Sequence, residues 1–323
     1  MTAYRSRRTL VVGGFGYIGS HVFAALNQAG ADVTVVTPRR ERHAGAAARL
    51  DACGGRTIQA DVRDGEALRA AVAGQDVIFN LSGQSGALRS VEDPRTDLEV
   101  NCGGNLALLE AVRRSAPHAK IVFAGSRLVY GAPERLPVAE DHPLAPICPH
   151  GVHKAMVERY FEMYGRLHGI RSTTLRITNP YGPGQPEGRS AYGVINYLIQ
   201  RALAGETVPI YGDGTQLRDY VFISDVVGAL LAAGATDRSD GRAYNVGSGV
   251  GTAMVDMARA VVEIAGGGRV VHEAWPPLVR EIDTGSFVAD VSRIGAELGW
   301  CPATALTDGL RQTIAASLER CDS

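Results

Sequence analysis

Seven residues, Gly13-Gly14-Phe15-Gly16-Tyr17-Ile18-Gly19, constrain this chain more than any other stretch. They follow the apolar, β-branched run Thr9-Leu10-Val11-Val12 and open the amphipathic segment 20–28. Glycine permits positive φ and lets the backbone come close to a pyrophosphate, which then rests on the positive end of a helix dipole. A glycine triplet alone is weak evidence. Strand, triplet and helix in this order predict the opening βα unit of a dinucleotide-binding sheet.

The same alternation continues along the first half. Segments 32–36, 77–81 and 120–124 are short β-branched runs of the kind buried in parallel sheets, while 65–72 and 101–114 have the spacing of crossover helices. The rhythm predicts an α/β fold, a doubly wound parallel (Rossmann) sheet, continued by a strand over 171–177. After Asn179 the texture changes. Asn179-Pro180-Tyr181-Gly182-Pro183-Gly184-Gln185-Pro186 reads as a loop, because Pro and Gly interrupt regular structure. A helix near 194–204, a strand over 209–211 and a return at 220–223 follow. The expected organisation is a dinucleotide-binding domain over 1–178, with a return near 220–250, and a smaller, partly interleaved C-terminal substrate-binding lobe over 179–323.

Composition narrows the class of partner. Lys and Arg number 33 against 34 Asp and Glu, so the net charge is −1 and nothing draws the chain to nucleic acid or to an anionic membrane. Five scattered cysteines, with no Cys-x-x-Cys, read as reduced thiols. The basic stretch 1–8 lacks the apolar length of a signal peptide, and no later stretch is long enough to span a bilayer. The expectation is a soluble cytoplasmic protein.

The second strand ends in Val36-Thr37-Pro38-Arg39-Arg40, where an NAD enzyme usually carries an acid for the ribose hydroxyls. Thr37, Arg39 and Arg40 would instead suit a 2′-phosphate, which leans towards NADP; two solvated surface arginines are the alternative. Asp61 and Val62, after the third strand, stand where the adenine ring would lie. NAD or NADP is the expected cofactor.

Further marks are Leu81-Ser82-Gly83, Val100-Asn101, Ser126 with Val129-Tyr130-Gly131, Asn179 to Pro183, Tyr211-Gly212-Asp213-Gly214, and Arg218-Asp219-Tyr220. Together with Gly13 to Gly19 and Asp61, they make the sequence similar, over nearly its whole length, to the extended short-chain dehydrogenase/reductase family, in its nucleotide-sugar epimerase, dehydratase and reductase branch. The resemblance implies roles residue by residue. Gly13, Phe15, Gly16, Tyr17, Ile18, Gly19, Leu81, Ser82 and Gly83 would hold the cofactor. Ser126 would hydrogen-bond the reacting sugar oxygen, Lys154 would bind the nicotinamide ribose, and Asn101 would support the site's geometry. Asn179 and Arg218, with Arg280, would clamp the diphosphate of a nucleotide-diphosphate sugar, a task suited to planar bidentate donors. Surface salt bridging is the plain alternative for both arginines. Gln84 and Tyr192 would line the sugar pocket, or else pack within the core or a loop. A homodimer through segments 106–114 and 154–168 is expected by the same analogy.

The chain departs from the family at one decisive place. Pro149-His150-Gly151-Val152-His153-Lys154 stands where the family carries Tyr-x-x-x-Lys, and the tyrosine is missing. His150 and Lys154, four residues apart, share a helix face as the family pair does. A neutral imidazole, with a pKa of about 6.5, accepts a proton without the tuning that a phenol near 10 requires. Being shorter, it would need a water or Ser126 as relay. His150 is therefore read as the substituted base, against a bystander at a site whose acid and base lie elsewhere, or a relic of a dead one. Cys148, His150 and His153 are not read as a metal set, since dispersed histidines are usually solvated or hydrogen-bonded and no further Cys or His but His142 lies near in sequence; no metal is expected.

Two redox outcomes survive. Dehydratases of the family follow their Ser or Thr with an Asp-Glu pair and decarboxylases use a glutamate there, whereas Arg127-Leu128 follow Ser126 here. Elimination and decarboxylation are thus disfavoured. A 4-epimerase would oxidise and re-reduce C4 with a retained cofactor; a ketoreductase would consume NADPH once. The ready base favours the epimerase. A non-catalytic NAD(P)-binding sensor is the reading from another class, opposed by the intact Ser126, Lys154, Asn179 and Arg218.

Overall fold

The computed structural model describes residues 2–40, 44–185 and 193–321. Seven strands form one sheet: β1 (Arg8–Val12), β2 (Asp32–Thr37), β3 (Arg56–Gln59), β4 (Val77–Asn80), β5 (Lys120–Ser126), β6 (Arg171–Ile177) and β10 (Arg242–Val246). They lie in the order β10-β6-β5-β4-β1-β2-β3, every neighbour parallel. The winding reverses between β1 and β4. At such a point the crossovers leave to opposite faces and a crevice opens at the carboxyl ends of the strands.

Period-two alternation divides the strand residues between two cores. Val11, Val35, Phe79, Val122 and Leu175 face the helices Tyr17–Gln28 and Ile223–Ala235, meeting Val22, Leu26, Val226 and Leu230. Leu10, Val12, Val36, Ile78, Ile121 and Phe123 face the other side and pack on Leu108, Val112, Val157 and Phe161. Burial on both faces is why these strands read as nearly continuous apolar runs.

Beyond residue 178 the chain builds two small sheets. One has the order β11-β9-β7, from β7 (Asn179–Tyr181), β9 (Leu217–Phe222) and β11 (Gly251–Ala253); the other pairs β8 (Thr207–Tyr211) with β12 (Arg269–Glu273). A third core, including Leu198, Ile199, Ile210, Tyr220, Met257, Val261 and Leu310, lies between these sheets and the helices around them.

Three local expectations are corrected or narrowed. Residues 179–181 form a short strand rather than pure loop: Pro180 is tolerated because β7 is an edge strand pairing on one side only, with β9. Residues 220–222 belong to the small sheet, while the return to the large one expected near 220–250 is made by residues 242–246, beside β6. The helix expected from residue 101 begins as a π turn, Glu99–Gly103, before running as α-helix over Gly104–Ser115.

Candidate active site

The glycine loop is shaped by close approach. A Cβ on Gly19 would lie 2.3 Å from the Gly13 carbonyl oxygen, and one on Gly14 would lie 2.8 Å from Val35. Gly13 adopts φ +79°, and its added Cβ would meet the Leu81 and Ser82 backbone at 3.0 Å. The helix that follows begins at Tyr17 with no acidic side chain in its first turn, so its dipole is left for an anion. Gly16, Tyr17, Ile18 and Gly19 wall a cavity of about 530 Å³, joined by Leu81, Ser82, Gly83 and Gln84. Tyr17 Oη and Gln84 Nε2 are buried without a hydrogen-bond partner. A backbone cradle beside unpartnered polar groups fits a dinucleotide.

Other expected cofactor residues stand apart from this wall. The Phe15 side chain is buried in the core, 6.0 Å edge-on to Phe23. Thr37 is buried, Arg39 is exposed, and Arg40 is ion-paired with Asp51 rather than displayed for a phosphate. Asp61 accepts from Arg63 Nε at 2.8 Å and Nη2 at 2.9 Å, which holds its carboxyl below the usual range. Val62 packs against Gly104, where any larger residue would collide.

The chemistry concentrates where β5 meets the long helix Pro149–His168. Ser126 closes β5, its Oγ accepting from Leu128 N at 3.2 Å. Pro149 suits the first helical position, where the missing N–H costs nothing. A buried ion pair, Arg176 Nη2 to Glu158 at 2.8 Å, ties the helix to β6. His150 and Lys154 are both buried and both line the cavity with Ser126. Lys154 Nζ donates to the Ala124 carbonyl at 2.9 Å and sits 4.6 Å from the Phe123 ring centre. Burial brings its pKa down to about 8.

Around His150 burial and neighbouring charges compete. Burial and the Lys154 charge lower its pKa, while Asp97 opposes them. Asp97 is fully buried, with Oδ2 3.5 Å from His150 Nδ1 and Oδ1 2.6 Å from His153 Nδ1. Burial alone would raise the Asp97 carboxyl, but the two imidazoles outweigh it and hold it low. The His150 backbone N–H donates to Ser90 Oγ at 3.0 Å.

Asn101 sits in the π turn behind the cavity. Its Nδ2 donates to the Gln84 carbonyl at 3.0 Å, and its buried Oδ1 lacks a partner. A Cβ on Gly83, which has φ +151°, would come within 2.4 Å of that oxygen and 3.7 Å of Lys154 Nζ. The side chain therefore shapes the turn that faces Lys154.

Asn179, in β7, lines the cavity and donates to the Asp219 carbonyl at 2.8 Å, with Tyr220 beside it. The expected arginine clamp is not assembled. Arg218 is buried, bonded to the Gly285 carbonyl and ion-paired with Asp283, and Arg280 is exposed on the short helix Pro277–Glu281. A buried guanidinium needs acceptors for its N–H groups, and these two supply them. Tyr192 lies outside the described residues. Among the described residues no group of three or more His, Cys, Asp or Glu is arranged to hold a metal ion.

In the sequence Arg127 counted only as the absence of a carboxylate, and Asp97 was missed altogether. Arg127 is buried against Phe287 and donates from Nη1 to Thr284 Oγ1 at 2.8 Å; burial and the Arg218 charge lower its pKa to about 10. An arginine directly after Ser126 was the only signal. Asp97 gave none, since it meets His150 across 53 residues of sequence.

Comparison with known proteins agrees with this geometry. Residues 9–247 match the model of the NAD dependent epimerase/dehydratase family. A UDP-glucose 4-epimerase of Mycolicibacterium smegmatis is 34% identical over 314 residues, spanning 95% of this chain and 97% of that one. The crystal structure of UDP-glucose 4-epimerase from Thermotoga maritima with UDP-glucose superposes with a TM-score of 0.89 at 30% identity, covering 97% of this chain and 99% of the other. The UDP-glucose 4-epimerase of Thermus thermophilus in complex with NAD gives 0.86 at 32%, covering 96% and 98%. Sheet order, glycine cradle and these likenesses together make the chain a member of the NAD-dependent epimerase/dehydratase family of extended short-chain dehydrogenases/reductases.

Proposed function

We propose that this chain is a nucleotide-sugar 4-epimerase, acting on a UDP-sugar with retained NAD, in which His150 replaces the family's tyrosine as base. The observation that carries the reading is the convergence of Ser126, His150 and Lys154 on one cavity while Arg127 and Leu128, not carboxylates, follow Ser126. The glycine cradle, Gly83 and Lys154 would hold the dinucleotide, which when bound supplies the hydride acceptor and donor. Ser126 Oγ holds the C4 oxygen. His150, kept neutral by burial and by Lys154, takes the hydroxyl proton as the ketone forms and returns it when the alcohol is restored. Its depressed pKa places the acid limb of kcat/KM below the ordinary histidine value. NAD is favoured over NADP because Arg40 is engaged by Asp51 and because a relative's structure carries NAD.

The test is incubation of the purified protein with UDP-glucose or UDP-galactose, followed by proton NMR at C4. Inverted sugar formed with cofactor in catalytic amount supports the proposal. Stoichiometric NADPH loss with a 4-keto sugar would make it a reductase. If no sugar either reduces bound cofactor or consumes NADPH, the enzyme reading fails.

A further inference from the structure

We propose that Asp97 is the positioning residue of this site: pinned by His153, it accepts the Nδ1–H of His150 and so presents Nε2 to the sugar as the basic nitrogen. The inference rests on the reading of His150 as base. A neutral imidazole carries one N–H, so fixing it at Nδ1 leaves Nε2 as acceptor.

The geometry is built for this. The short helix Pro94–Leu98, capped by Asp93 through Thr96 N at 3.0 Å, delivers Asp97 against the long helix. His150 and His153, three residues apart, lie on one face of that helix and meet separate oxygens of the carboxylate. The tighter contact is to His153, which stops the carboxylate from turning away from the longer one to His150. A fully buried carboxylate is costly without partners, and these two imidazoles are its side-chain partners from that helix.

The proton balance is closed. When C4 is oxidised the sugar O–H bond breaks, its proton is bonded by Nε2, and its electron pair becomes the second C–O bond of the ketone. The C4–H bond breaks with its pair leaving as hydride, for which the oxidised nicotinamide of the dinucleotide that the glycine cradle would hold is the acceptor. His150 is then an imidazolium beside the Asp97 carboxylate, with Lys154 opposing it from the next turn and His153 across the carboxylate. Re-reduction returns hydride to C4 and the proton from Nε2. Asp97 itself stays ionised throughout.

Nitrogen-15 NMR of histidine-labelled holoenzyme tests the proposal directly: His150 protonated at Nδ1 is expected, and protonation at Nε2 overturns it without any variant. Asp97→Asn supplies one amide oxygen for two imidazoles, so the Nδ1–H form should lose dominance at His150. In that variant kcat should fall by about 10² to 10⁴, the range that loss of an imidazole-orienting carboxylate produces. KM for the sugar should change little, and the acid limb should move to lower pH. Unchanged kcat and limb would refute the positioning role. The base reading fails separately, if His150→Phe keeps full activity.

Discussion

Lys154→Met should make the cofactor-free protein more stable at neutral pH while abolishing turnover. Burial takes the Lys154 ammonium from an ordinary value of 10.5 to about 8. At 1.36 kcal/mol per pH unit, keeping that charge buried costs roughly 3 kcal/mol. The unfolded chain holds its proton up to the higher pH, so the cost is fully present below about pH 8 and fades as pH rises towards 10.5. Methionine matches the stem but loses the hydrogen bond to Ala124 and the ring contact with Phe123. Those losses return about 1 to 2 kcal/mol. A net gain of roughly 1 to 2 kcal/mol remains, which at about 2 cal/mol/K of unfolding entropy per residue raises Tm by roughly 1 to 3 °C. Calorimetry at pH 7 and at pH 10 provides the assay, with the advantage expected at pH 7 and gone or reversed at pH 10. A variant less stable than the parent at pH 7, or one with the same difference at both values, would refute the argument that burial of the charge is the governing cost.

Gly19→Ala would drive a Cβ into the Gly13 carbonyl, and opening the loop by about 1 to 3 kcal/mol should weaken NAD binding at least fivefold in a fluorescence titration. Asp219→Asn should lower stability by about 2 to 4 kcal/mol in denaturant unfolding, since the buried carboxylate accepts from Ser248 N and Oγ, Gly249 N and Ala289 N, more than one amide oxygen serves. His150→Phe should cut kcat by about 10² or more with the cofactor still bound, and His150→Tyr should retain or raise activity if the family geometry persists; steady-state rates on the same UDP-sugar decide both.

What the sequence made legible was local. The glycine loop, the β-branched runs and the four-residue spacing of His150 and Lys154 each act through neighbours in the chain, so their structure follows from short-range sterics and periodicity. What it hid was made by distant partners. Arg40 looked like a phosphate ligand until Asp51 engaged it, and Arg218 looked like a free clamp until Asp283, 65 residues on, took its guanidinium. Asp97 sits in a polar stretch that would pass for a solvated turn, and only tertiary packing turns it inward. The π turn that carries Asn101 had no compositional mark, because a single extra residue in a helical turn leaves the apolar pattern almost unchanged.

The return of β10 to the large sheet bears on how this molecule can be made and cut. The strand beside β6, and the helix Ile223–Ala235 that shares one face of the central strands with Tyr17–Gln28, are supplied from beyond residue 220. A ribosome that has delivered only the first 178 residues has therefore released a sheet with one face only partly covered, by Tyr17–Gln28, and β6 unpaired on its outer side. Co-translational closure of the nucleotide half must wait for residue 246 to emerge. An excised fragment 1–178 is expected to aggregate more readily than the whole chain, because it exposes apolar residues that Ile223–Ala235 covers.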